Sequence, residues 1–228
     1  MKRQEAPGRL EVVRSFVNTL DLERGVDELD TVEGLAAWLA AQSSPAEFPG
    51  VPLRPDVLPW PGELAQPVES PRPGVPPVLT EADRRAAVEL REALRDTIAG
   101  TGSAAVVPLG PSGPRVAAPA PAGLTRLNRV AARLPVHLNF TEAATPQFVP
   151  ERGGIDAVLA GLLGVVAVAA LDGTWGRLKM CPAEDCRWVF YDHARNRTGV
   201  WCQMAECGNR RKVREHRSRQ RASSAART

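Results

Sequence analysis

The spacing of apolar residues near the start of the chain predicts two amphipathic helices. Apolar side chains recur every three or four positions over 10–20 and again over 35–39, which is the period of one helix face. The stretch between the two stripes is polar and predicts a turn. Asp30 and Glu33 have the spacing of a capping box, so we expect the second helix to begin there. Each stripe carries one aromatic residue, and we expect the two helices to share a core.

Two longer helices and a hairpin are predicted further along the chain. Residues 80–100 have the helical period and begin with Thr80 and Asp83, which form a second capping box. Strand-like alternation and a polar turn over 136–150 predict a small β-hairpin. The apolar stretch within 154–171 is shorter than the ~20 residues that span a bilayer. We therefore expect a buried core helix there and no association with a membrane.

Two segments show neither the helical period nor the alternation of a strand. Residues 45–77 contain 11 prolines, and proline blocks a helix because it has no amide N–H. Residues 100–121 are rich in Pro, Gly and Ala. Each segment could wrap the surface in an extended form or remain a flexible loop. Taken together, the pattern predicts a mainly α fold with a small β-hairpin element, of the α+β class.

Charge is distributed unevenly along the chain. Residues 177–228 contain 13 basic and five acidic side chains, a net charge of +8, whereas the remainder contains 16 basic and 21 acidic ones. A mildly acidic body with a basic tail is expected of a sensor joined to a polyanion-binding end. The alternative is a tail that serves solubility alone. The first residues lack the apolar segment of a secretory signal, so we expect a cytoplasmic protein with reduced thiols.

All four cysteines lie close together in the spacing C-x4-C-x15-C-x4-C, and we expect them to bind one Zn²⁺ per chain. The predicted ligands are Cys181, Cys186, Cys202 and Cys207. The alternatives are two disulfides, which a reducing compartment disfavours, and a catalytic or redox site, for which four thiolates leave no open position. His193 or His216 could replace one ligand. The sequence has no nucleophile–base pair, phosphate loop or paired acids, so we expect no enzymatic activity.

The residues around the cysteines predict a hairpin that supports the metal. Residues 187–191 are rich in strand formers, and 200–202 would form the returning strand. The aromatic side chains that would pack around the site are Trp188, Phe190 and Trp201. Gly208 follows the last cysteine and suits a turn with positive φ, while Asn209 would cap the next helix. Asn209 and Arg210 adjoin the last ligand and could equally brace it.

The segment from Asn209 to Arg221 predicts a basic helix with little apolar surface, because its arginines recur at steps of four and three. The predicted nucleic-acid contacts are Arg210, Arg211, Lys212, Arg214, Arg217, Arg219 and Arg221. Such side chains bind phosphates and guanine edges. Alternatively, arginines near the cysteines offset the formal charge of −2 on a zinc tetrathiolate. We expect the nearest residues to do so and the outer stripe to meet a polyanion.

Three polar residues follow the first predicted helix, in the sequence FVNTLD. Asn18, Thr19 and Asp21 are candidates for a site that binds a small effector or a protein partner. The alternative is that they hydrogen-bond to backbone groups at the helix end, as Asn, Thr and Asp often do.

Three motifs carry a resemblance to a known family: FVNTLD (16–21), TWGRLKMCPAEDCRWVFYD (174–192) and RNRTGVWCQMAECGNRRK (195–212). They resemble the bacterial CGNR zinc finger proteins with an N-terminal ABATE domain. The resemblance implies a helical domain over 1–173 and a zinc finger with a basic C-terminal helix over 174–228. It also implies zinc on the four cysteines and a stress-related transcriptional regulator. We expect binding to duplex DNA. The alternatives are an adaptor that docks on the transcription machinery and an RNA-binding protein.

Overall fold

The structure is a computed structural model that describes residues 5–42, 78–103, 106–108, 115–117, 121–140, 146–213, 217 and 220. The helices of this described part are α1 (Leu10–Val17), α2 (Val32–Ala41), α3 (Glu81–Ser103), α4 (Pro121–Ala131) and α5 (Gly154–Leu171). Its strands form antiparallel pairs: β1 (Leu20–Asp21) with β2 (Val26–Asp27), β3 (Val106–Pro108) with β4 (Arg115–Ala117), β5 (Val136–Phe140) with β6 (Pro146–Pro150), and β7 (Leu178–Met180) with β8 (Val189–Tyr191). The predicted α+β class is confirmed.

The two segments without periodicity have different outcomes. The prediction for 45–77 falls outside the described residues. Within 100–121, the structure places the last turn of α3 and the short hairpin β3–β4, which the sequence pattern did not indicate.

Helices α1 and α2 pack through one aromatic residue from each. The rings of Phe16 and Trp38 are 5.0 Å apart and tilted by 57°, and both side chains are buried. The cap predicted at Asp30 is wrong by one residue, because Thr31 adopts the extended backbone and its Oγ1 accepts from the N–H of Gly34 at 3.0 Å. The polar link between the helices forms the hairpin β1–β2.

Helix α3 is central and contacts α1, α2, α4, α5 and β7. The predicted capping box is present: the N–H of Thr80 donates to Asp83 Oδ2 at 2.7 Å, and the N–H of Asp83 donates to Thr80 Oγ1 at 3.3 Å. The stripe that α3 buries completely consists of Ala87, Leu90, Ala93, Leu94 and Ile98. Gly123 permits the close approach of α4, because an added Cβ would lie 2.8 Å from the carbonyl carbon of Asp96.

Helix α5 has the predicted bounds and completes the core beside α1 and α3. Its buried side chains include Ile155, Ala157, Val158, Leu159, Ala160, Leu162, Val166 and Ala169. Its length and composition would allow it to cross a membrane, a test that core helices of water-soluble proteins also pass. Phe148 of β6 lies against Gly164, which brings the hairpin β5–β6 onto this helix.

Two buried arginines of α3 tie it to the N-terminal elements. The Arg91 guanidinium pairs with Asp27 on β2, with a distance of 2.9 Å between Nη2 and Oδ2. Burial raises the pKa of Asp27, but the hydrogen bonds from Arg91 and the N–H of Leu29, together with the charges of Arg91 and Arg84, outweigh it and bring this pKa below its usual value of 3.8. Arg95 donates to the carbonyl of Val17 at 3.1 Å, and burial lowers its pKa. These bonds fix the end of α1 and the following hairpin on α3.

The hairpin β7–β8 has two faces that belong to two different clusters. Leu178, Val189 and Tyr191 lie in the main hydrophobic core with α1 and α3, whereas Phe190 packs against the four cysteines. This division follows from the strand period, because alternate side chains point to opposite faces. The predicted pairing of 187–191 with 200–202 is wrong. The register pairs β8 with 178–180, since the first cysteine pair closes a turn that folds β8 directly back on β7.

Candidate metal centre

The four cysteine sulfurs converge on one point. All four Sγ atoms lie within 4.8 Å of one another and all four residues are buried. Cys186 and Cys202 are separated by 3.6 Å, and Cys202 and Cys207 by 3.7 Å, measured between Sγ atoms. A tetrahedron with zinc–sulfur bonds of about 2.3 Å has sulfur–sulfur edges of about 3.8 Å. A disulfide bond is only about 2.0 Å long. The donor set therefore fits a tetrahedral metal, and the thiols are unpaired.

The first cysteine pair lies at the open end of the hairpin β7–β8. The N–H of Cys181 donates to the carbonyl of Trp188 at 2.9 Å, which extends the ladder by one bond. The turn that follows is closed by the N–H groups of Cys186 and Arg187, which both donate to the carbonyl of Ala183 at 3.0 Å. Arg187 has φ of 48°, a left-handed conformation that lets the chain leave the turn.

The second pair uses a helical turn. Cys207 lies in the π-helical turn Met204–Gly208, which continues as helical backbone to 213. The cap predicted at Asn209 is wrong, because the helix begins five residues earlier, at Met204. The side chain of Asn209 instead donates from Nδ2 to the carbonyl of Ala205 at 3.0 Å. The positive φ expected at Gly208 is absent. What this glycine provides is space, because an added Cβ would collide with Met204 Sδ.

The thiols of Cys181, Cys186 and Cys202 influence one another's protonation. The hydrogen bonds from Cys186 and Cys202 lower the pKa of the Cys181 thiol. The same bonds raise the pKa of Cys186 and of Cys202, because a thiol that donates to a neighbouring thiolate keeps its proton. The N–H groups of Cys202 and Ala183 also favour the thiolate of Cys181. A bound divalent cation would take the place of these protons, so binding would release them.

Arg210 joins the last cysteine to the N-terminal part of the chain. Its Nη2 lies 3.2 Å from Cys207 Sγ, and its Nη1 donates to Glu23 Oε1 at 2.8 Å. Both bonds raise the pKa of Arg210, the one to Cys207 more strongly. This predicted nucleic-acid contact is thus engaged by a ligand and by the turn between β1 and β2. Its position agrees with the alternative role of offsetting thiolate charge.

Two family descriptions match this chain. Residues 177–220 match the CGNR zinc finger, and residues 10–173 match the ABATE family, described as "Putative stress-induced transcription regulator". The chain belongs to the ABATE family. The resemblance seen in the sequence motifs is therefore confirmed, and the four-cysteine cluster lies within the CGNR finger. A comparison with curated proteins finds no match.

Three aromatic residues of the CGNR finger pack around the cysteines. Phe190 is completely buried, and Trp188 and Trp201 pack half-buried against the same cluster. These side chains supply the apolar support that so small a module needs around its metal site. Phe190 has no face exposed for stacking on a nucleic-acid base.

The basic residues after the last cysteine are only partly described. Arg211, Lys212 and Arg217 are exposed, and Val213 is also exposed among them. The remaining predicted contacts, Arg214, Arg219 and Arg221, lie outside the described residues. The continuous basic stripe to Arg221 stays a prediction.

The three candidate effector residues of the ABATE unit bond to protein groups. Asn18 Nδ2 donates to the carbonyl of Val189, and the N–H of Val189 donates to Asn18 Oδ1, both at 2.8 Å. Thr19 Oγ1 donates to a carbonyl in the last turn of α1 at 2.8 Å, and Asp21 Oδ1 accepts from two backbone amides of the following turn. All three side chains are buried. The helix-end alternative describes Thr19, whereas Asp21 closes the turn between β1 and β2 and Asn18 holds strand β8 of the finger.

Sequence reasoning missed the contacts that join the ABATE unit to the CGNR finger. Besides the Asn18 bonds, Arg95 reaches the carbonyl of Arg187 in the first cysteine turn at 3.5 Å, and Glu23 holds Arg210. The partners are separated by 92 and 187 positions in the sequence. Local spacing gives no signal for such pairs. The finger is therefore docked on the ABATE unit at both of its cysteine pairs.

Proposed function

We propose that this ABATE-family protein is a zinc-dependent DNA-binding transcriptional regulator that holds one Zn²⁺ per chain. The observation that supports this most is the cluster of four buried Sγ atoms at tetrahedral separations. The cluster is followed directly by a basic helical segment. Four thiolates with no histidine or carboxylate favour zinc over hard cations such as magnesium.

The metal has a structural role in this proposal. Cys181, Cys186, Cys202 and Cys207 would all bind it, so no coordination position remains for a substrate. Zinc would link the end of the hairpin β7–β8 to the turn Met204–Gly208. Arg210 would offset part of the negative charge of the thiolates through its bond to Cys207. The chain's own residues thereby fix the start of the basic helix.

The exposed basic residues after Cys207 would bind the phosphate backbone. Lys212 and Arg217 are both exposed and have helical backbone. Each phosphate neutralised in B-DNA lowers the slope of log K against log salt by about 0.9. Duplex DNA is favoured over single-stranded RNA because Phe190 is buried, and Trp188 and Trp201 pack against the cysteine cluster. Little aromatic surface is left for base stacking.

Fluorescence anisotropy with a labelled duplex tests this proposal. The zinc-loaded chain should bind duplex DNA, and the variant Lys212→Ala/Arg217→Ala should bind it more weakly and with a shallower salt slope while keeping its zinc. A matched control is Arg85→Ala/Arg129→Ala, which removes the same charge from exposed positions of α3 and α4. Equal affinity of the Lys212/Arg217 variant and the wild type would contradict the proposal. A single-stranded competitor that displaces the duplex equally well would favour the RNA-binding alternative.

A further inference from the structure

The loop between β8 and Cys202 is closed around a buried carboxylate. Asp192 is 2% exposed, and its Oδ2 accepts from Lys179 Nζ at 2.7 Å and from the N–H of Gly199 at 2.8 Å. Its Oδ1 accepts from the N–H of Ala194 at 3.0 Å. One carboxylate thus binds the backbone on both sides of the segment 195–198. Gly199 is required for this approach, because an added Cβ would lie 2.6 Å from Asp192 Oδ1.

Further bonds hold the loop from the side of β7. Lys179 Nζ also donates to the carbonyls of Arg197 and Gly199, and Arg177 Nη1 donates to the carbonyls of Asp192 and Ala194 at 2.9 and 3.0 Å. These two basic residues, which could have offset the thiolate charge, are therefore used to shape the loop. These hydrogen bonds hold the backbone of the loop in one conformation.

Between 195 and 198 the loop presents only polar and basic side chains to solvent. Arg195, Asn196, Arg197 and Thr198 are all exposed. Arg197 has φ of 55°, a left-handed conformation that is uncommon outside glycine. Among the residues that the structure describes, no carboxylate pairs with Arg195 or Arg197. By contrast, eight arginines of the described ABATE unit form ion pairs with carboxylates.

The loop and the basic helical segment both adjoin the cluster of four cysteines. Arg197 precedes the ligand Cys202 by five residues, so the two Cα atoms are at most about 18 Å apart. Cys202 Sγ in turn lies within 4.8 Å of Cys207 Sγ, where the basic helical segment begins. A distance of this order corresponds to about half a turn of B-DNA, whose full turn rises about 34 Å. Loop and helix can therefore reach one stretch of backbone.

We propose that the loop 193–198 is a second phosphate-binding surface of the CGNR finger, which contacts the backbone of a nucleic acid through Arg195 and Arg197. This inference rests on the proposed function and adds to it a contact surface outside the C-terminal helix. The physical reason is that a preformed loop loses little conformational entropy when two unpaired guanidinium groups meet phosphates. The buried Asp192 supplies that preformed shape.

The variant Arg195→Ala/Arg197→Ala tests the charge of the loop in the full-length, zinc-loaded chain. Loss of two phosphate contacts should make the slope of log K against log salt less negative by about 1.8, which corresponds to up to about 60-fold weaker duplex binding at 0.1 M salt. The zinc content should stay at the wild-type value. The control Arg85→Ala/Arg129→Ala removes the same charge from the ABATE unit and should leave the slope unchanged.

The variant Gly199→Ala tests the shape of the loop with both arginines retained. Because its Cβ would displace the Asp192 carboxylate, duplex binding should weaken while zinc is kept. A wild-type slope and affinity for Arg195→Ala/Arg197→Ala would overturn the inference. If Lys212→Ala/Arg217→Ala still weakened binding in that case, the proposed function would stand without the loop. Absence of duplex binding by the wild-type chain at low salt would instead reject the proposed function itself.

Discussion

Asn18 holds the free edge of strand β8, and its replacement should destabilise the whole protein. Its side-chain amide makes both hydrogen bonds of the Val189 backbone that face away from β7, each at 2.8 Å and buried. In Asn18→Ala, one N–H and one C=O lose their partners. Each buried unsatisfied group costs about 1–3 kcal/mol, so the expected loss is about 2–6 kcal/mol. For a chain of this size that corresponds to a fall in Tm of at least about 4 °C.

Urea unfolding of the zinc-loaded chain, followed by tryptophan fluorescence, measures this loss. Asn18→Asp is a second variant that keeps one acceptor but places an oxygen opposite the carbonyl of Val189, so it should be at least as destabilising as alanine. Asn128→Ala on the exposed face of α4 is the matched control, with an expected change within about 0.5 kcal/mol. A change for Asn18→Ala as small as that of the control would refute the reasoning.

Three further predictions concern a carboxylate, a close helix contact and the link between the two units. Burial raises the pKa of Asp192, but Lys179 and the backbone amides outweigh it, so the folded pKa lies below the usual 3.8. The contribution of the ionised Asp192 to the free energy of unfolding should be complete above about pH 4 and be lost as the pH falls through the folded pKa. In urea titrations, the difference in free energy of unfolding between the wild type and Asp192→Asn should therefore shrink below pH 4. Gly123→Ala should destabilise by about 2 kcal/mol or more, because the added Cβ meets the backbone of α3, whereas Gly161→Ala, which meets nothing within 4 Å, should not destabilise in thermal melts. Glu23→Gln should remove the carboxylate charge that pairs with Arg210 Nη1, while the bond from Arg210 to Cys207 remains, and should tighten duplex binding up to about fivefold, the order expected for one exposed ion pair. Weaker binding in anisotropy titrations would count against a competing role of Glu23.

The elements that the sequence predicted well carry strong local signals. Helix α5 follows from its apolar run, α3 begins with the capping box of Thr80 and Asp83, and β5–β6 follows from strict alternation. The cysteine cluster also has a local signal, because two pairs with equal spacing bring their four sulfur atoms together. In these cases the information lies within about twenty consecutive residues.

The features that could not be predicted depend on contacts between distant segments. The first cysteine turn places β7 beside β8, and this decides which strand pairs with β8. Residues 200–202 have the composition of a strand, but no such turn brings them beside β8. Asn18 resembles any polar residue at a helix end until Val189, 171 positions later, is placed against it. Asn209 has the composition of a cap, but the position of Cys207 requires the helix to begin earlier.

Selection from a pool of random duplexes tests the central claim, zinc-dependent recognition of DNA by this regulator, most directly. The full-length chain loaded with zinc is compared with the variant Cys202→Ser, which lacks one of the four ligands and should not retain the metal. We predict that the zinc-loaded protein enriches a defined duplex sequence and that the variant enriches none. Equal recovery of all sequences by the zinc-loaded protein, or the same enrichment by Cys202→Ser, would contradict the account.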